Sequence, residues 1–204
     1  MQIANPPMLS LRELVDLARS GQGKIHHLYL HWTAGRYEQF FDDYHLNIDG
    51  EGNLYQTCDE LTDKKAHTYM RNSGAIGIAL CCAVDATWNG EWPDFGSCPP
   101  TWAQLEKLCR VVALLSLVLE LPIDASSVMT HCEAASRDGY GPGSGDPETR
   151  WDLAYLPDFP YKNMGSYRGG AFVRYYAEKY ARLLKDGQGQ REALEGLLKE
   201  AGKA

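Results

Sequence analysis

Three residues in the sequence combine side-chain types and positions that suit a metal ion. His31 lies in the run Leu-Tyr-Leu-His, His131 ends the run Val-Met-Thr-His, and Asp152 belongs to Arg-Trp-Asp-Leu. Two imidazoles and one carboxylate form a common catalytic zinc set, because they leave a fourth position for water. Neutral imidazoles also leave the ion enough positive charge to polarise a carbonyl. The spacing alone does not separate this set from ordinary core or surface residues.

Both histidines lie at the ends of runs that predict β-strands, and loops at strand ends often carry functional groups on a rigid scaffold. These runs extend from Ile25 to Trp32 and from Ser126 to Thr130. A continuous apolar run from Ala75 to Val84 predicts another, buried strand. The segment from Tyr44 to Thr57 predicts a β-hairpin, because the Gly-containing residues 49–52 separate two strand-like runs.

Helices are predicted around these strands. Ser10 and Thr101 each begin a capping-box pattern, and apolar residues follow both at helical spacing. The second series runs from Leu105 to Leu119 and predicts a long buried helix. Residues 167–184 predict another helix, whereas residues 137–149 are rich in Gly, Asp and Pro and predict a loop.

The mixture of elements predicts an α/β fold, with a mixed central β-sheet flanked by helices in a single domain. We expect this domain to span residues 1–186, followed by a charged helix or tail over residues 187–204. The formal net charge of −7 argues against a nucleic-acid partner. No apolar run approaches the length of a membrane span, and we expect no membrane insertion.

The cysteines indicate which type of zinc site to expect, and the first residues indicate the cellular compartment. Six cysteines are present without a CxxC pair, which argues against a Cys-rich structural zinc site. The first residues lack the basic and apolar regions of a secretory signal, so we expect synthesis in the cytoplasm. A substrate outside the cell would then require release of the protein by another agent.

Several motifs occur together in a characteristic order. They are His31-Trp-Thr-Ala-Gly35, the hairpin from Tyr44 to Gln56, Ala66-His67 with Asn72, and Ile76-Gly-Ile78. A long helix, a second His after a strand and a basic residue two positions before an Asp complete the series. In this order the chain resembles the peptidoglycan-recognition and type 2 N-acetylmuramoyl-L-alanine amidase family, which includes phage lysozyme-type amidases. The resemblance covers about His27 to Leu156.

The resemblance implies a zinc-dependent hydrolase that cuts the amide bond between N-acetylmuramic acid and L-alanine in peptidoglycan. It implies that His31, His131 and Asp152 bind Zn²⁺ in a groove at the sheet edge. Tyr44 matches the catalytic tyrosine of the family, and Arg150 stands where the family has a Lys. A cation at that position would stabilise negative charge on the tetrahedral intermediate.

Two parts of this assignment stay open. The interval between His131 and Asp152 is longer than the family commonly shows, so Asp138 and Asp146 are alternatives for the third ligand. Asp152 is preferred because it alone has a basic residue two positions before it. Some relatives carry a Glu as general base where this chain has Ala79, which leaves the identity of the base open.

Four further residues are candidates for substrate contact. His45 and His67 would line the cleft or, equally, would serve as internal hydrogen-bonding residues. Arg71 and Asn72 would contact a carboxylate of the stem peptide, which suits the fork geometry of Arg. Binding of peptidoglycan without cleavage and cleavage of soluble muropeptides remain alternative functions, and the oligomeric state is open.

Overall fold

The computed structural model describes residues 1–88, 93–145, 150–157 and 168–186. Its strands are β1 (Gln2–Ile3), β2 (His27–Trp32), β3 (Phe40–Phe41), β4 (Leu46–Ile48), β5 (Leu54–Gln56), β6 (Ala75–Leu80) and β7 (Val128–Thr130). Its helices are α1 (Leu11–Arg19), α2 (Trp102–Val118), α3 (His131–Arg137) and α4 (Arg168–Asp186). Residues 187–204, predicted as a charged helix or tail, lie outside the described residues.

A mixed five-stranded sheet with strand order β5-β4-β6-β2-β7 forms the centre of the fold. Strand β2 pairs in parallel with β6 on one side and with β7 on the other, and β4 and β5 form the predicted antiparallel hairpin. The short strands β1 and β3 pair separately. The prediction of an α/β fold with a mixed sheet flanked by helices is therefore confirmed.

The two predicted capping boxes are present and begin α1 and α2. Ser10 accepts a hydrogen bond from the Glu13 backbone, and Thr101 accepts one from the Gln104 backbone. Each cap satisfies backbone N–H groups that the first turn of a helix leaves without partners. Helix α2 then packs against α1 and α4. Among the described residues, no helix has the length and apolar character required to cross a membrane.

Alternate residues of the central strands face different surroundings. Leu28 and Leu30 of β2 belong to the large core formed with α2 and α4. Tyr29, between them in the sequence, packs instead with Ala75 and Met129 on the opposite face of the sheet. Successive strand residues point to opposite faces, so His31 shares its face with Tyr29. The face away from α2 and α4 is therefore where the candidate metal ligand lies.

One element departs from the prediction. Sequence patterns predicted a strand that ends at Thr130 and gave no helix after it, whereas α3 begins at His131. Thr130 caps α3, because its hydroxyl oxygen accepts a hydrogen bond from the Glu133 backbone N–H. The Glu133 carboxylate in turn accepts a hydrogen bond from the Thr130 backbone N–H. This Thr-x-x-Glu pattern is a capping box visible in the sequence, and it would have predicted the helix.

Candidate metal centre

Three donor atoms converge at the carboxyl ends of β2 and β7. His31 Nδ1 lies 3.1 Å from His131 Nδ1, and Asp152 Oδ2 lies 3.4 Å from the first and 3.5 Å from the second. Ligands bound tetrahedrally at about 2.0 to 2.1 Å from Zn²⁺ lie about 3.3 Å from one another. The triangle of donor atoms thus fits one face of a tetrahedral site, and these residues form a group that could hold a metal ion.

Each of the three residues is held by a different kind of element. His31 is the fifth of six residues in β2, between two parallel neighbours, and its side chain is fully buried. His131 is the first residue of α3, directly after β7. Asp152 lies in the irregular segment 150–157, where Leu153 adopts a positive φ of 56°. The site therefore brings together a strand, a helix start and a turn.

An ion pair fixes the first turn of α3 from behind. Arg174 of α4 donates two hydrogen bonds of 2.8 Å to the Glu133 carboxylate and one of 2.9 Å to the Val128 carbonyl. Two parallel N–H groups on one carboxylate give a strong and directional contact. Gly170 allows this contact, because a Cβ there would lie 2.3 Å from a Glu133 oxygen. The start of α3, and with it His131, is thereby tied to α4.

Both imidazoles have a hydroxyl at the ring nitrogen that faces away from the cluster. His31 Nε2 lies 3.3 Å from Thr68 Oγ1, and His131 Nε2 lies 3.4 Å from Tyr140 Oη. Thr68 Oγ1 in turn lies 3.0 Å from His67 Nδ1. Metal-binding histidines commonly donate their second N–H to such a partner, which fixes ring orientation. Neither Thr68 nor Tyr140 was predicted, since neither belongs to a motif of the family resemblance.

The electrostatics of His31 and Asp152 favour metal binding. Burial lowers the pKa of His31 to about 4, which keeps its imidazole neutral and able to bind a cation. Burial alone would raise the pKa of Asp152, but His131 and His31 together hold it below its usual range. A neutral imidazole and an ionised carboxylate are the protonation states that a metal requires.

The two residues predicted to act on the substrate lie near the ligands. The Tyr44 ring centroid is 5.1 Å from that of His31, and its hydroxyl donates a 3.4 Å hydrogen bond to the Trp32 carbonyl. Burial and the neighbouring Asp152 charge raise the pKa of Tyr44 well above its usual value. The positive charge of Arg150 opposes this shift, so the guanidinium is close enough to act on the site.

His45 and His67 lie behind the site. The fully buried His45 faces the Asp63 carbonyl through Nε2 at 2.7 Å, and its Nδ1 accepts a hydrogen bond from the Gly77 backbone. Both nitrogens of His45 are thus engaged internally, which favours the hydrogen-bonding interpretation over a place in the cleft. His67 packs directly on Gly77, where an added Cβ would lie 2.6 Å from His67 Cγ. The glycine of the Ile-Gly-Ile motif provides the space for His67.

Arg71 and Asn72 also have partners inside the protein. Arg71 donates two hydrogen bonds of 2.6 Å to Asp138, the residue that ends α3. Asn72 Oδ1 accepts hydrogen bonds from the backbones of His67 and Thr68. Binding of a stem-peptide carboxylate by Arg71 would require it to exchange or share its contact with Asp138.

The alternatives for the third ligand and for the base can now be placed. Asp138 is held by Arg71 and is not part of the three-residue cluster. Asp146 lies outside the described residues. Ala79 is paired in register with His31 on the neighbouring strand and is fully buried. Its methyl group supplies no proton acceptor at that position.

The fold and the site together define an α/β protein with a His-His-Asp cluster that could hold a metal ion. The family model of N-acetylmuramoyl-L-alanine amidase matches residues 21–147, and the chain belongs to this family. The resemblance seen in the sequence is thereby confirmed. The match includes His31 and His131, whereas Asp152 lies beyond its end.

Among solved structures, the chain is similar to that of PGRP-Hd from Alvinella pompejana. The two share 16% sequence identity with a TM-score of 0.37, over 63% of this chain and 79% of the other. No curated protein matches the chain.

Proposed function

We propose that this protein is a zinc-dependent amidase that hydrolyses the bond between N-acetylmuramic acid and L-alanine in peptidoglycan. The observation that carries the proposal is the triangle of His31 Nδ1, His131 Nδ1 and Asp152 Oδ2, with edges of 3.1 to 3.5 Å. This triangle occurs in a member of the N-acetylmuramoyl-L-alanine amidase family. Two imidazoles and one carboxylate would hold Zn²⁺ as the three protein ligands of a catalytic site do.

The three residues would hold the ion with part of its positive charge uncompensated, because only Asp152 is anionic. Zinc supplies two things in such a site: it polarises the carbonyl to be attacked and it lowers the pKa of water. The burial of His31 and Asp152 excludes bulk solvent from the ligand side. Electrostatic interactions are stronger there than they would be in water.

Tyr44 and Arg150 act on the carbonyl oxygen of the substrate. Because its pKa is raised, Tyr44 stays protonated and can donate a hydrogen bond as negative charge develops on that oxygen. The long contact with the Trp32 carbonyl, at 3.4 Å, is readily exchanged for one with substrate. Arg150 cannot act as a general acid, because it does not release its proton near neutral pH, so its contribution is electrostatic.

Product analysis on purified peptidoglycan tests this function directly. The protein with added Zn²⁺ is expected to release stem peptides with a free L-alanine amino group and glycan strands with a free lactyl carboxyl group. Mass spectrometry identifies both ends. His31→Ala should give neither product. Binding of wild-type protein to sedimented sacculi without any new ends would overturn the amidase assignment and support a peptidoglycan-binding module.

The same assay distinguishes two kinds of substrate. Intact sacculi and soluble muropeptides are supplied separately at equal concentrations of the scissile bond. Faster release from sacculi supports an endolysin-like enzyme that acts once it reaches the cell wall. Faster cleavage of soluble fragments supports a recycling amidase that acts in the cytoplasm.

A further inference from the structure

The hydroxyl of Thr68 connects a metal ligand to a buried histidine. Thr68 is 1% exposed and His67 is 6% exposed, so water has little access to either. The Thr68 oxygen lies 3.3 Å from His31 Nε2 and 3.0 Å from His67 Nδ1. One hydroxyl can accept one of these contacts and donate the other, because it carries a single hydrogen.

The direction of these hydrogen bonds follows from the site. With a metal ion at the site, the His31 Nδ1 lone pair would be directed at the ion and the His31 proton would lie on Nε2. Without metal, the Asp152 carboxylate 3.4 Å from Nδ1 competes for that proton. Nε2–H then donates to Thr68 Oγ1, and the Thr68 hydroxyl donates to His67 Nδ1. His67 must therefore carry its own proton on Nε2.

The burial of His67 Nε2 supports these hydrogen-bond directions. His67 Nε2 is buried and makes no hydrogen bond of normal geometry among the described residues, although the Ala75 backbone is close enough to favour a proton on the ring. A buried polar group without a good hydrogen bond costs free energy, which an apolar residue of similar size would avoid. In His67, Nδ1 contacts the Thr68 hydroxyl, whereas Nε2 makes no hydrogen bond of normal geometry. The backbone of His67 and Thr68 is also pinned by two hydrogen bonds to Asn72 Oδ1.

We propose that Thr68 and His67 are positioning residues that hold His31 in the Nε2–H tautomer, with its Nδ1 lone pair aimed at the metal ion. They touch neither the metal nor the substrate. Their function is to fix the proton and the ring plane of a ligand before the metal arrives. The inference rests on the proposed metal site. The tautomer of His31 can nevertheless be measured in the metal-free protein.

Two pairs of variants separate the hydrogen bond from packing. Thr68→Val removes the hydroxyl at nearly constant shape, and Thr68→Ser keeps it. His67→Leu removes the acceptor, and His67→Gln retains a carbonyl that can accept. Ser116→Ala is the matched control, because Ser116 also carries a buried hydroxyl but lies on α2, among the helices.

Zinc affinity is measured first, by competition with a chelator of known strength. Loss of an outer partner of a metal ligand typically weakens binding by about 10- to 100-fold. We expect this loss of zinc affinity for Thr68→Val and His67→Leu. Affinity should stay near that of wild type for Thr68→Ser, His67→Gln and Ser116→Ala. Circular dichroism should show a folded protein in each case.

Nitrogen-15 spectra of the histidine rings, recorded without metal, measure the tautomer itself. Wild type and Thr68→Ser should show His31 protonated on Nε2, and Thr68→Val should show a mixture of tautomers. Unchanged affinity and an unchanged His31 tautomer in Thr68→Val would overturn the inference. If wild type takes up no zinc, the proposed zinc-dependent function is rejected. The metal-free spectra then still show whether Thr68 controls the tautomer of His31. If Thr68→Val does not fold, the His67→Leu and His67→Gln pair gives the same decision.

Discussion

The two faces of the central sheet are built from alternate residues of the same strands, yet they have opposite character. The face toward α2 and α4 carries large apolar side chains such as Leu30 and Ile78, both fully buried. The other face carries His31, the small residues Gly77 and Ala79, and the polar Asn47. The first face supplies apolar burial. The second face has less apolar burial and instead holds a cluster of polar groups at fixed distances.

This difference suggests that stability and chemistry are separable at the level of neighbouring residues. Apolar burial contributes about 25 cal/mol per Å², which the helix-packed face supplies. Functional clusters commonly cost stability, because they keep polar groups in an apolar interior. Substitutions on one face should therefore change the free energy of unfolding, and those on the other should change metal binding and activity.

The largest expected effect is on the site face. His31→Ala removes one of three ligands, and transition-state stabilisation by the metal is worth several kcal/mol, so activity should fall by about 1000-fold or more. Metal analysis of the purified variant should show loss of the zinc bound by wild type. Added zinc should raise the Tm of wild type by mass action and leave that of His31→Ala unchanged. A zinc-dependent rise in the variant would contradict the ligand assignment.

The neighbouring residue gives the matched test on the helix face. Leu30→Ala should lower the free energy of unfolding by about 2 to 5 kcal/mol, because it leaves a cavity in a fully buried core. Urea denaturation measures this loss. Zinc content and activity per folded molecule should remain close to wild type. If the folded fraction lost its zinc, the two faces would be coupled rather than separable.

A residue that fills space on the site face should affect both properties. In Gly77→Ala, the new methyl carbon would lie 2.6 Å from His67 Cγ, so the imidazole must move. Overpacking of this kind costs about 1 to 3 kcal/mol. Because His67 contacts Thr68, zinc affinity should fall as well. Ile78→Val, on the opposite face of the same strand, should cost about 1 kcal/mol and leave zinc affinity unchanged.

The smallest effect is a pH dependence of stability that originates on the site face. Burial lowers the pKa of His45 to about 4, below its usual value near 6.5. The unfolded chain therefore binds this proton more readily, and stability is lost as pH falls from about 6.5 toward about 4. For the metal-free protein we expect the free energy of unfolding to fall across this window, and to fall less in His45→Gln. His26→Gln, at an exposed position, serves as control and should keep the wild-type slope.

The parts of the fold that local patterns specify were predicted well. The hairpin from Leu46 to Gln56 and the starts of α1 and α2 follow from turn and capping residues that lie within a few positions of one another. The α3 helix was not predicted although its capping box is equally local, because Thr130 also ends the apolar strand pattern of β7. The proximity of His31 and His131 followed from the predicted strands together with the family resemblance.

The surroundings of the ligands could not be predicted in the same way. The contact of Thr68 with His31 spans 37 residues, and that of Arg71 with Asp138 spans 67. Neither pair shows a periodicity or a short motif that would link its members. Such contacts depend on how loops return over the sheet, and loop conformation leaves little trace in a residue pattern.

The position of Asp152 late in the chain also affects when, during folding, the metal site can form. Glycine is required at position 169 of α4, because a Cβ there would lie 2.0 Å from the Leu153 carbonyl oxygen, immediately after Asp152. The last ligand is thus seated against the last described helix. During synthesis, a ribosome must release residues well beyond 152 before the three donor atoms can meet. Because metal binding is coupled to folding, metal capture would follow the docking of α4 rather than precede it.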